Sequence, residues 1–242
     1  MPYFPAMNYD PRNPDPLERP GGEFPPEQAR RAGLRIFGFP LRIDPFFFVT
    51  AWLIGGRQEP QWMVVWVVIV LIGILAHELG HAFAGRRLGM EPWIRLMAFG
   101  GMTGWTQPRP LTARQQIMIS AAGPAVGIVI GGSVLIAGLV GLFANASPAI
   151  IRVLNDVMWV NLGWGVLNLL PILPLDGGHI ASSVAGIVAG RRGRLAARVL
   201  SIVLTVTIGL WALTAGQWWM LILGVVLTYA NVQALRAELA GV

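Results

Sequence analysis

The chain has no cysteine and no lysine, only three histidines, and charged side chains at just 12% of its 242 residues. The missing cysteine excludes disulfides and thiolate metal ligands together. The scarcity of charge argues against an ordinary soluble domain, which carries about 25% charged residues. That charge is also unevenly spread. No Asp, Glu, Lys or Arg falls between Gln61 and Ala76, or between Gln115 and Ala144. Such runs approach or exceed the roughly 20 apolar residues that cross a bilayer core. A large soluble core would instead show charged faces at helical spacing. With 55% hydrophobic residues, the chain reads as an all-α polytopic membrane protein.

Residues 1–33 differ from the rest. Eight prolines precede Leu34, with glycine and charge between them, as in a disordered, solvated leader. This stretch has no apolar segment of the kind a cleavable signal peptide needs. Residues 34–242 read as one core of about six transmembrane helices. The expected spans begin near Asp44, Trp62, Arg114, Pro148, Ala196 and Gln217, and end near Gly55, Arg86, Phe143, Leu173, Ala215 and Ala234. Asp44-Pro45 suits a helix N-cap followed by proline at the first helical position. The pairs Gly127-Gly131 and Gly186-Gly190 suit close helix packing, and Trp62, Trp218 and Trp219 suit an outer interface.

All 18 basic residues are arginine, giving a net charge of +6. They gather before the first span, between the second and third, between the fourth and fifth, and after the last. The other connections hold only Arg57 and Arg152. Cytoplasmic loops collect basic residues, so both termini are expected in the cytoplasm of a multi-pass protein of the cell (inner) membrane. Arginines that track span boundaries, without a basic stripe of interleaved aromatics, argue against nucleic-acid binding.

The three histidines occupy two motifs. His77-Glu78-Leu79-Gly80-His81 lies in the second span, and Leu175-Asp176-Gly177-Gly178-His179 follows the fourth. On a helix, residues i and i+4 share a face, so His77 and His81 can bind one metal ion. Glu78 then projects beside the metal, where a general base for water belongs. An ionisable group at the centre of a membrane helix costs about 2.5 kcal/mol or more. A divalent cation would account for three such groups within five residues. A catalytic zinc usually takes three protein ligands, and His179, Asp156 and Asp176 are the remaining candidates. Asp156 stands four residues after Arg152 and suits an i, i+4 ion pair. Asp176 reaches the depth of His81 near the cytoplasmic side, between residues that let the backbone approach another helix or that form a plain Asp-Gly turn.

The HExxH sequence within an apolar span, with Asn168-Leu169-Leu170-Pro171-Ile172-Leu173-Pro174-Leu175-Asp176-Gly177-Gly178 downstream, resembles the site-2 protease family of intramembrane zinc metalloproteases. The likeness runs from about Gly38 to the end, and no PDZ or CBS domain accompanies it. It implies one catalytic Zn2+ held by His77, His81 and Asp176, with Glu78 as base. Asn168 would help hold substrate or the developing oxyanion, and His179 is not a ligand in the family pattern. Phe99-Gly100-Gly101-Met102 is similar to the family's membrane-dipping β-hairpin, expected near residues 94–104. Its edge would receive an unwound substrate by strand addition. Gly123-Pro124 is similar to the family's Gly-Pro pair, with Gly127 where an asparagine often follows.

The expected function is hydrolysis of a peptide bond within or near a transmembrane helix of a membrane-protein substrate, pre-cleaved or intact, as in regulated intramembrane proteolysis. The partners are that substrate and the lipid bilayer; substrate identity and oligomeric state are not legible. The alternative is a non-proteolytic zinc carrier or scaffold. A carrier should line several spans with polar groups, and it has no need of Glu78.

Overall fold

The computed structural model describes residues 33–55, 59–98, 100–106 and 109–240. Phe99, Arg57 and the leader up to residue 32 lie outside the described residues, as does the side chain of Trp219. The described residues are mostly helical, at 73%. Contacts divide the described residues into two compact units, one comprising those within 33–106 and 122–167, the other 109–121 and 168–240.

In the first of these units the chain opens with strands β1 (Leu34–Ile36) and β2 (Phe39–Ile43), followed by helix α1 (Pro45–Ile54) and helix α2 (Pro60–Arg87). Strands β3 (Pro92–Met97) and β4 (Gly100–Trp105) come next. The four strands form one sheet in the order β1-β2-β3-β4. Phe37 and Gly38 both have positive φ, 48° and 85°, the backbone that a two-residue hairpin turn requires. β2 pairs with β3 in parallel, Leu41 opposite Ile94, and β3 pairs with β4 in antiparallel, Arg95 opposite Met102. The expected hairpin near 94–104 is therefore present, but it is half of a four-stranded sheet. A parallel pair needs a long crossover, and here α1 and α2 supply it.

Helix α2 runs 28 residues with proline at its start, about 42 Å at 1.5 Å per residue. It ends where Gly89 takes φ 78° and the amides of Leu88, Gly89 and Met90 return to Gly85 and Arg86 carbonyls, a glycine-terminated cap. Arg86 and Arg87 in its last turn oppose the negative end of the helix dipole. One face, including Val70, Ile74, Leu79 and Ala82, packs into a core with Phe39, Leu41, Phe47, Ile94 and Leu96. The opposite face leaves Val64, Val68 and Ile72 exposed, as lipid contact demands. Asp44 occupies the N-cap position of α1, but its side chain does not cap the helix. It accepts from Arg95 Nε and Nη2 at 2.9 and 2.6 Å. A charge-assisted pair is worth more than a neutral cap bond, so the ion pair displaces the expected cap.

Helix α3 (Ala113–Leu139) contributes to both units. The expected fourth span divides into α4 (Pro148–Met158), a π-helical turn (Trp159–Gly163) and α5 (Trp164–Asn168), then leaves helix before Asp176. Gly127 and Gly131 of α3 bear on this segment: a Cβ there would stand 2.7 Å from the Asn161 oxygen and 2.6 Å from the Leu162 nitrogen. Their expected packing role holds.

In the other unit, helix α6 (Asp176–Thr214) breaks at Ala189–Gly190 and continues alongside α7 (Trp218–Ala240). Sequence reading started this helical region only near Ala196, because Gly-rich residues and Arg191, Arg192 and Arg194 resemble a loop. Gly190 is a correction: it supplies φ 56° at the break and meets nothing within 4 Å, so it does not pack a helix. α6 and α7 approach closely at Gly224, where a Cβ would lie 3.3 Å from Gly209 Cα.

Among the described residues, four helices are long and apolar enough to cross a membrane: α2, α3, α6 and the stretch Met220–Leu239 of α7. α1 has 10 residues, about 15 Å, and is a shorter apolar helix. The protein is a multi-pass membrane protein.

Candidate active site

The site begins on the buried face of α2. His77, Glu78 and His81 are 4%, 4% and 8% exposed. The two imidazoles meet edge to face, with ring centroids 4.8 Å apart, and their Nε2 atoms are separated by 3.1 Å. Two nitrogens bound at about 2.0–2.1 Å on a tetrahedral ion stand about 3.3 Å apart. The pair is therefore spaced for one metal ion. Space above them comes from Gly123 on α3. A Cβ there would overlap His81 Nε2 and lie 2.8 Å from His77 Nε2. The helices approach this closely because Gly80 also lacks a side chain: its Cβ would stand 2.5 Å from the Ala122 oxygen. Gly123, read as half of a Gly-Pro pair, is thus the cradle of the imidazole pair.

Strand β4 passes the remaining member of the motif. Thr103 Oγ1 lies 2.7 Å from Glu78 Oε2 and 3.0 Å from the Glu78 carbonyl oxygen, so its hydroxyl proton is shared between them. Gly101 faces the same carboxylate; a Cβ there would overlap Cγ and stand 2.5 Å from Oε1. Glu78 is therefore fixed between a glycine and a hydroxyl of one strand. Gly100, at φ 131°, has the Trp164 ring beneath it, with 2.9 Å to a Cβ. Among the described residues β4 pairs with β3 alone.

Asp176 and Asn168 belong to the other unit. Asn168 ends α5 and is half-buried. Asp176 is the first residue of α6, also half-buried, with Leu175 at the N-cap. Its Gly-Gly partners are not an ordinary turn. A Cβ on Gly177 would overlap the Leu169 carbonyl, and one on Gly178 would stand 2.5 Å from the Ile172 oxygen. The first turn of α6 therefore lies directly on the backbone of residues 169–173, and only glycine permits it. His179 sits one turn into that helix, its amide donating to the Leu175 carbonyl at 3.1 Å.

Sequence reading missed Thr103, a single hydroxyl in a short strand. It missed Asn161, buried in the π-helical turn, its amide donating to Val157 O at 2.9 Å. It also missed the partner Arg152 finds in Glu59, at 2.9 Å. The signal for Asn161 was a lone amide in an apolar span, which marks function or helix pairing.

A buried imidazole pair with a carboxylate between them, on one helix of a multi-pass membrane protein, defines a membrane protein with an HExxH metal-site motif. Comparison with known proteins narrows the class. Residues 131–214 match the profile of Peptidase family M50, and the chain belongs to that family, the site-2 proteases. Rip3 of Mycobacterium tuberculosis, named as a zinc metalloprotease, is 32% identical over 198 residues, 69% of this chain and 49% of Rip3. A Synechocystis protein named likewise is 30% identical over 189 residues, 72% of this chain and 48% of its own length. The chain thus spans about half the length of the curated relatives it matches. The site-2 protease of Methanocaldococcus jannaschii shares the fold, with TM-score 0.58 and 23% identity over 83% of this chain and 93% of that one.

Proposed function

We propose that the protein is an intramembrane zinc metalloprotease that cleaves a peptide bond within or near a transmembrane helix of another membrane protein. The observation that carries this reading is the fixed Glu78 carboxylate, buried beside two imidazoles spaced for a metal and held by a strand with an open edge. His77, His81 and Asp176 are the proposed ligands. Two imidazoles and a carboxylate suit zinc, and the names of the relatives agree. Zinc bound there supplies Lewis acidity, polarising the scissile carbonyl and lowering the pKa of water. Glu78 takes the proton of the attacking water and returns it to the leaving amine. Thr103 holds Glu78 in place without competing for the metal.

A peptide bond in a membrane helix is closed by its own hydrogen bonds, and unwinding it in lipid leaves polar groups that need partners. The outer edge of β4 offers a row of them, with Gly100 and Gly101 allowing close approach; Phe99 and Asn168 complete the proposed substrate contacts. Six crossings remain the proposed topology. α4, the π turn and α5 together span 148–168, about 30 Å. α1, which covers about half a bilayer core, is the proposed first crossing, with Arg42 before its start. The arginine pattern then puts both termini in the cytoplasm of the cell (inner) membrane, and substrate cleavage near that face.

The test is reconstitution in liposomes with single-span peptides. The expected result is cleavage inside the apolar segment, abolished by a chelator and restored by stoichiometric zinc. Zinc binding with no cleavage of any pre-cut or intact substrate would support a carrier or scaffold instead.

A further inference from the structure

Helices α6 and α7 are apolar along most of their length, yet they bury a closed ring of polar groups. The Leu173 amide donates to Ser201 Oγ at 2.9 Å. The Ser201 hydroxyl donates to Asn231 Oδ1 at 3.1 Å. Asn231 Nδ2 donates back to the Leu173 carbonyl at 2.6 Å and to Leu227 O at 2.8 Å. Ser201 and Asn231 are 0% and 2% exposed. Both backbone groups of one residue are thus gripped by side chains of two different helices, and the donors of all three residues are used.

We propose that Ser201 and Asn231 are positioning residues for Asp176, clamping the Leu173 peptide so that the carboxylate three residues on is presented at a fixed place. This rests on the reading of Asp176 as a metal ligand. The link from clamp to carboxylate is short and stiff. Pro174 fixes its own φ, the Leu175 amide donates to Ile172 O at 2.7 Å, and Gly178 lies against the Ile172–Leu173 backbone. A displacement at Leu173 therefore passes to the first turn of α6 rather than being absorbed. Helix pairing alone does not require the ring. Thr228 donates to Thr205 at 2.9 Å across the same two helices without touching residues 169–175, and Gly209 and Gly224 already allow close contact.

The Thr pair supplies the control. Ser201→Ala, Asn231→Leu, Thr228→Val and Asp176→Ala would be made in the full chain in nanodiscs. Zn2+ affinity would be measured by chelator competition and site geometry by the Co2+ absorption spectrum, with melting of each metal-free protein confirming folding. Ser201→Ala and Asn231→Leu are expected to weaken Zn2+ binding about 10-fold or more and to alter the Co2+ spectrum; supporting shells of metal sites typically contribute about 10–100-fold. Thr228→Val is expected to leave both unchanged. If Asp176→Ala itself leaves affinity unchanged, Asp176 is not a ligand and the proposal falls with that reading. If Asp176→Ala abolishes binding while the Ser201 and Asn231 variants behave as Thr228→Val does, the clamp alone is refuted.

Discussion

Gly101→Ala separates the base from the metal. A Cβ at residue 101 would overlap Glu78 Cγ and stand 2.5 Å from Oε1 and 2.7 Å from Cδ. Unstrained contacts lie near 3.5 Å, so the carboxylate must retreat by about 1 Å. The retreat costs the fold something, because the clash reaches Cγ and Oε2 is tethered to Thr103, and the melting measurement reads that cost separately. The same retreat is expensive for the reaction, because a misplacement of about 1 Å costs about 100-fold in rate, or about 2.7 kcal/mol of barrier. Metal binding should survive, since Gly123 rather than Gly101 abuts the imidazole nitrogens. The assay is kcat on a reconstituted transmembrane substrate, alongside zinc content and thermal melting of the same preparation. The reasoning is refuted if kcat stays within about threefold of wild type, or if zinc is lost in parallel with activity.

Gly123→Ala should give the opposite pattern, since its Cβ intrudes on the His81 and His77 Nε2 atoms. Overpacking of about 1–3 kcal/mol should appear as weaker Zn2+ affinity in chelator competition. Thr103→Val removes the donor 2.7 Å from Glu78. A hydrogen bond to a charged group is worth about 1.5–3 kcal/mol, so kcat should fall about 10-fold or more at unchanged zinc content. Glu238→Ala strands Arg198, whose Nε lies 3.2 Å from Glu238 Oε2 with side chains 11% and 7% exposed. Losing one partner of a buried pair costs about 3–5 kcal/mol, which calorimetry should register as a lowered Tm.

The parts of this protein visible in its sequence are those that depend on neighbours along the chain. His77, Glu78 and His81 lie within one helical turn and a half, so their shared site follows from helix geometry. The long uncharged runs likewise announce α2, α3 and most of α7. What stayed hidden depends on distant pairing. β2 joins β3 across some fifty residues, and its alternation of Phe39, Leu41 and Ile43 is too short to announce a strand. The first half of α6 was hidden because its glycines and Arg191, Arg192 and Arg194 break the apolar run, although the close backbone approach that Gly177 and Gly178 serve was legible. The last two spans read as almost wholly apolar, but Ser201, Thr205, Thr228 and Asn231 are the polar residues that matter there. Thr103 carried no local signal at all, since a single hydroxyl in a Gly-rich strand gains meaning only beside Glu78.

The most direct test of the central claim compares wild type with Glu78→Gln in native cells, mapping new protein N-termini by mass spectrometry. The substitution keeps the shape of the side chain and the metal site while removing the base. The account predicts new termini inside transmembrane segments that are present with wild type and absent with Glu78→Gln at equal zinc content. Identical profiles from two expressed, zinc-loaded proteins, under conditions that expose pre-cleaved substrates, would contradict it.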